Sequence, residues 1–146
     1  MTHPVVTLRP VEQSDLEIFY EHQADAGSIA MAGVPGRDPD AHRAHWQQLL
    51  ADETVHVRTV VAGGNVAGSV LSFMRDEVRE VGYWLGREAW GRGVASRALQ
   101  LFLVWETERP VYAFVIEANV VSRRVLEKAG FTVIAHEKDG FRFTLR

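Results

Sequence analysis

Gly91 and Gly93 stand where a strand-like run, VGYWL, gives way to a helix-like run, VASRALQLFLVW. Glycine weakens a helix, so two of them at its entrance need a reason. A helix start leaves about four backbone N–H groups unpartnered and carries about half a positive charge, which together suit an anion. Without side chains at 91 and 93 a bulky phosphate could approach closely, with charge from Arg92 and a hydroxyl from Ser96. A tight turn that binds nothing accounts for the same pair equally well. Other residues capable of chemistry are Glu80, Tyr83 and Trp84 before this turn, Asn119 and Ser122 after it, and His42 with His45.

Two familiar chemistries fit poorly. A dinucleotide-binding turn needs a third small residue in G-x-G-x-x-G, where Ser96 stands, and an acidic partner that only Glu117 approximates. The link from Leu85 to Gly91 is too long for that motif, and too little chain follows Glu117 to complete a doubly wound sheet. His42 and His45 are three apart on an expected helix, a spacing that can share a metal, but no third ligand is near them in sequence. No metal is expected.

The elements that must position these residues follow from periodicity. VVTLRPV, Val5 to Val11, alternates as a strand, and Ser14 with Glu17 suggests a capping box for a helix to about Ala24. Ala32 to Asp40 reads as loop from its Gly and Pro content, and a second helix, Asp40 to Ala51, places Trp46, Leu49 and Leu50 on one side. Two strands meet at Gly63-Gly64, and Asp76-Glu77 turns the chain into a third strand ending near Leu85.

Beyond the glycines Val94, Ala98, Leu101, Phe102 and Trp105 recur as one helix face until Pro110. VYAFVI, Val111 to Ile116, is a continuous apolar run and so a strand expected to be covered on both faces. A short helix from Ser122 to about Ala129 ends at Gly130, and a hairpin through Asp139-Gly140 closes the chain. The order is β-α-α-β-β-β-α-β-α-β-β: one α+β domain over residues 1–146 with four helices.

Composition narrows the function. With a net charge of −3 there is no general drive toward nucleic acid or anionic membrane, and with no cysteine there are no disulfides and no thiol nucleophile. No apolar run reaches the ~18 residues of a membrane helix, and the N-terminus does not look like a signal peptide, so a cytoplasmic location is the default expectation.

AWGRGVASRAL, followed about 25 residues later by NVVSRRVLEKAGF, resembles the two signature segments of the GNAT superfamily of acyl-CoA-dependent N-acyltransferases. LRPVEQSDL and VGYWLGREAWGRGVA look particularly like the branch that includes ribosomal-protein N-terminal acetyltransferases. The resemblance covers almost the whole chain and implies a mixed, mostly antiparallel seven-stranded sheet. It also implies acetyl-CoA as cosubstrate, with transfer of the acetyl group to a primary amine by direct attack in a ternary complex. The acceptor is expected to be a small molecule or a peptide.

Residue by residue, the family's Gln/Arg-x-x-Gly-x-Gly/Ala segment falls on Trp90 to Ala95, with Trp90 departing from it. Trp90, Gly91, Arg92, Gly93, Val94, Ala95 and Ser96 would then hold the coenzyme A diphosphate. Pantetheine would lie between two splayed strands, against Tyr83, Trp84 and Leu85 on one side and Val115 and Ile116 on the other. Asn119 and Ser122 match positions near the pantetheine arm and the sulfur, although both also read as helix N-caps. The acid tyrosine carried by many relatives is replaced by Leu126, which leaves Ser122 to donate to the thiolate.

An amine must be neutral to attack, so a general base is useful. Glu80 is the first candidate, with Glu77, His136 and Glu53 behind it. Alternation puts Glu80 on the face of Gly82 and Trp84, with Tyr83 on the other face beside Val81 and Leu85. Tyr83 is also a catalytic candidate. The loop MAGVPGRDPD and the segment RAHW should border the acceptor site, with Arg37, Asp38 and Asp40 as acceptor contacts. The alternative is an acyl-CoA-binding sensor or partner domain with the same fold and little turnover. The C-terminal edge strands are compatible with a homodimer.

Overall fold

The computed structural model describes residues 3–32 and 36–146, so three residues of the expected loop from Ala32 to Asp40 lie outside the described residues. The elements are β1 (Val6–Arg9), α1 (Asp15–Ala24), α2 (Ala26–Ala32), α3 (Pro39–Ala51), β2 (His56–Ala62), β3 (Asn65–Arg75) and β4 (Val78–Leu85). A single 3-10 turn, Arg87–Ala89, leads into α4 (Val94–Trp105), then β5 (Val111–Ile116), α5 (Val120–Lys128), β6 (Thr132–Glu137) and β7 (Gly140–Leu145). The seven strands form one sheet in the order β1-β2-β3-β4-β5-β7-β6, with β4 and β5 the parallel pair.

Periodicity had anticipated this order. The structure adds a fifth helix, α2, whose AGSIAMA carries too short an apolar pattern to be read locally.

The capping box is not formed. Ser14 has helical dihedrals and no capping hydrogen bond, because a preceding turn already winds the chain, with Asp15 N–H donating to the Glu12 carbonyl at 3.0 Å. Asp15 instead anchors α1 to the sheet. Its buried carboxylate accepts both Arg9 guanidinium nitrogens at 2.8 Å, the Glu12 amide at 2.9 Å and the Thr59 hydroxyl at 2.8 Å. The β3–β4 turn uses Asp76 and Glu77 with φ of 50° and 67°, the double left-handed geometry that matches strand twist in a two-residue hairpin.

Two apolar layers flank the sheet. On one face α4 buries Val94, Ala98, Leu99, Phe102 and Leu103 against Val60, Val70, Val81 and Val111. Fully burying a side chain such as Phe102 stabilises the fold by about 1.5–3 kcal/mol. Trp105, expected in this stripe, lies at the rim, 45% exposed, with the Arg58 guanidinium 4.1 Å from its ring centre. On the other face Leu16 and Phe19 of α1 meet Trp46 of α3, the two aromatic rings 4.8 Å apart. Leu49 is half-buried there, whereas Leu50 is exposed and His42 takes the buried place. β5 is well buried on the α4 side only: Val111, Ala113 and Val115 are buried, while Tyr112, Phe114 and Ile116 on its other face are half-covered.

Candidate active site

Register along β3 and β4 is regular from Gly68↔Leu85 to Arg75↔Val78, with no bulge at Gly82. Alternation therefore holds: Tyr83 faces the α4 side, and Gly82 and Trp84 face α1 and α3. The parallel ladder between β4 and β5 consists of two register pairs, Arg79↔Val111 and Glu80↔Tyr112. Beyond them β4 stays with β3 to Leu85, and β5 stays with β7 to Ile116↔Gly140. The sheet thus splits, leaving a wedge whose bare edges are Val81–Leu85 on one strand and 113–116 on the other.

The wedge opens toward the entrance of α4. Gly91 and Gly93 have φ of 72° and 75°, a left-handed backbone that disfavours any residue with a Cβ. A Cβ at Gly91 would meet nothing within 4 Å, so the surface above it is open. The helix begins with Gly93 as a cap without a side-chain bond, and the first carbonyl engaged is that of Gly93, which accepts from the Arg97 amide at 3.1 Å. Amides 94–96 precede that bond and have no intrahelical acceptor. Arg92 is exposed beside them, its carbonyl accepting from His3 Nδ1 at 2.9 Å. Val94 is buried, while Ala95 and Ser96 are half-buried. Trp90 braces the approach by donating its indole N–H to the Leu85 carbonyl at 3.3 Å.

Across the wedge, Asn119 caps α5, its side chain accepting from the Ser122 amide at 3.1 Å. The Ser122 hydroxyl in turn accepts from the Tyr83 hydroxyl at 2.9 Å. Burial raises the Tyr83 phenol above its ordinary range, and this outweighs the opposing effect of the Ser122 bond, so the phenol stays a donor. Leu126 is a buried core residue.

On the opposite face lies a cavity of about 240 Å³ between α1, α3, β3 and β4. Phe19, Trp46, Leu49 and Leu71 make its apolar wall, and Gly82 opens its floor, where a Cβ would meet nothing within 4 Å. A glycine inside a strand weakens it, so the room it leaves carries meaning. His22, His42, His45 and Arg37 also border the cavity. Burial is the main cause holding all three imidazoles below their ordinary range, reinforced at His42 and His45 by the Arg37 guanidinium. His22 Nδ1 and Trp84 Nε1 are buried with no hydrogen-bond partner among the described residues, and both side chains line this cavity.

The remaining expected site residues fall elsewhere. Glu80 is buried with Arg142 at 3.5 Å and Arg75 at 3.6 Å and does not line the cavity. Asp38 is the N-cap of α3, accepting from the Ala41 amide at 2.8 Å. Asp40 is exposed near Arg43. Arg37 does border the cavity, its backbone held to the buried Gln23 side chain by bonds of 2.9 and 3.0 Å. His22 and Gln23 carry no motif of their own; their signal is position, three and four residues beyond Phe19 on the buried stripe of α1. Among the described residues no group of three His, Asp or Glu side chains could hold a metal, and no helix is long and apolar enough to cross a membrane.

The family model described as Acetyltransferase (GNAT) domain matches residues 6–132. A Bacillus subtilis protein named "Putative ribosomal N-acetyltransferase YdaF" is 23% identical, over 92% of this chain and 82% of its own. The spermidine N-acetyltransferase of Vibrio cholerae, solved with CoA and spermine, superposes with a TM-score of 0.85 at 18% identity, over 96% of this chain and 94% of that one. The aminoglycoside acetyltransferase AAC(6')-Ib, solved with coenzyme A, gives a TM-score of 0.76 at 20% identity, over 97% and 94% of the two chains.

Proposed function

The chain belongs to the GNAT acetyltransferase family, and from that premise we propose that it transfers an acetyl group from acetyl-CoA to a primary amine, within one domain spanning residues 1–146. The observation that carries this reading is the split between β4 and β5 opening onto the glycine entrance of α4. That entrance fits a diphosphate: it is open above Gly91, with the His3 ring beside Gly93, its amides 94–96 lack intrahelical acceptors, and neither left-handed glycine carries a side chain. Gly91 to Ser96 would hold the diphosphate, and the bare strand edges would pair with the amides of pantetheine. Bound acetyl-CoA would supply an activated thioester, whose carbon–sulfur bond breaks as the new carbon–nitrogen bond forms.

This chain's own residues would manage the protons. The amine must lose one, and an imidazole held neutral by burial can accept it. His22 fits best, with its Nδ1 buried and without a partner among the described residues and its ring packed against Gly86 just past the end of β4. Glu80 fits the base role less well, because two guanidiniums compete for its carboxylate. The departing sulfur needs a donor. Ser122 already accepts from Tyr83, so its own proton is free to point into the wedge, and Tyr83 stands behind to replace it. A phenol thus serves the leaving group from β4, although position 126 carries leucine.

The test is thiol release on mixing the protein with acetyl-CoA and a panel of amines. Release that needs both substrates supports transfer. Tight coenzyme A binding with no release from any amine would leave the sensor-domain alternative standing.

A further inference from the structure

We propose that the cavity over Gly82 selects an amine that bears a negative charge of its own, a carboxylate or similar anion, seated at Arg37. This rests on the transferase reading for the site's role and goes beyond it by naming the acceptor class.

The charge inventory of the cavity is one-sided. Its lining carries one guanidinium, three imidazoles, a serine and a glutamine, and no Asp or Glu. The stretch Gly33-Val34-Pro35, outside the described residues, has no acid to add. The carboxylates of Glu21 and Glu88 influence His22, but neither lines the cavity, and Asp25 is engaged by Arg87 at 2.9 Å. A polycationic acceptor would enter a space whose lining offers no countercharge and which the exposed Arg37 guanidinium borders, and that is costly. An anion finds the reverse.

Arg37 is suited to that task. Its side chain has no ion-pair partner among the described residues, and its backbone is fixed at both N–H and C=O by the buried Gln23 amide. Anchoring of this kind lowers the ordering cost of a charge-assisted contact. Trp84 Nε1, buried without a partner among the described residues, offers a second donor to an acceptor atom in the cavity. The apolar wall of Phe19, Trp46 and Leu71 takes the body of the molecule, and a volume of about 240 Å³ calls for a compact one.

The experiment compares three probes: 4-(aminomethyl)benzoate, its monocationic counterpart 4-methylbenzylamine, which lacks the carboxylate, and spermidine. Binding is followed by quenching of tryptophan fluorescence, since Trp46 and Trp84 line the cavity, and turnover by thiol release. The benzoate should bind roughly fivefold more tightly than 4-methylbenzylamine, and spermidine weakest, at low salt. Arg37→Gln should erase the benzoate's advantage without weakening 4-methylbenzylamine, whose ammonium it relieves of repulsion, while Arg37→Lys should keep most of it. The proposal is overturned if spermidine or 4-methylbenzylamine binds as tightly as the benzoate, if Arg37→Gln weakens both benzylamines equally, or if none of the three binds. The two readings separate cleanly. Charge-selective binding without thiol release would sink the transferase reading and keep this one; efficient acetylation of spermidine in preference to the benzoate would do the opposite.

Discussion

The Tyr83 hydroxyl donates to the Ser122 hydroxyl at 2.9 Å, joining β4 to the first turn of α5 across the place where the sheet has split. Among the described residues the β4–β5 ladder ends at Glu80↔Tyr112, short of this bond. The pair is therefore a tie across the wedge, and it is the pair proposed above to supply the leaving sulfur with a proton.

Ser122→Ala should lower kcat roughly ten- to hundredfold while changing coenzyme A affinity less than threefold, with Tyr83→Phe showing a smaller loss of the same kind. Steady-state thiol release beside calorimetric titration of coenzyme A checks this. Equal losses in turnover and affinity would reduce Ser122 to a structural contact.

At the helix entrance, Gly93→Glu should abolish measurable coenzyme A binding. Gly93→Asn, which tolerates a φ of 75°, should retain most of it. Calorimetry on both variants separates backbone strain from blockage of the anion site; unchanged affinity in Gly93→Glu would refute the phosphate assignment.

The floor of the cavity offers a size test. Gly82→Val introduces a side chain into open space on a strand that favours β-branched residues. KM for the amine should rise at least tenfold while coenzyme A affinity stays within twofold. Thermal melting should show no loss of stability.

His22 is held below its ordinary range chiefly by burial, so it is neutral at neutral pH and takes up a proton only in acid. If it is the base, kcat/KM should fall as pH drops below about 6.5. His22→Gln should flatten that acidic limb, and Glu80→Gln should leave it intact. The reverse pattern would return the base role to Glu80. The same depression makes a stability statement: the contribution of the neutral imidazole is present above its unfolded pKa and is lost as pH falls through the folded one.

Asp15 gives a second pH dependence. Desolvation by burial opposes its ionisation, but the hydrogen bonds from Arg9, Glu12 and Thr59 together outweigh it and hold the carboxyl below its usual range. Its stabilising contribution is therefore full above pH ~4 and is lost as pH falls through the folded value. Asp15→Asn should cost about 2–3 kcal/mol at pH 7, read from urea denaturation, and should blunt the acid sensitivity of the melting temperature.

What the amino-acid order decided alone is what depends on near neighbours. The Gly63-Gly64 and Asp76-Glu77 turns, the apolar stripe of α4 and the glycine entrance at 91–93 were all legible, because periods of two and 3.6 and the need for left-handed backbone are local properties. Where local signals competed, they misled: Ser14 looked like a cap, but the turn before it already supplied the helix start, and Trp105 fitted the α4 stripe but sits at the rim against Arg58.

Only the tertiary structure decided the chemistry of the site. Tyr83 and Ser122 are 39 positions apart and meet because β4 parts from β5, which depends on how the sheet pairs and twists rather than on any one segment. Glu80 stood on the expected face, yet Arg142, 62 positions away, occupies it. His22 joins His42 and His45 around one cavity because α1 and α3 pack on the same side of the sheet. Side-chain spacing along the chain encodes each element, while burial and proximity, which set proton affinity and reach, exist only once the elements are docked.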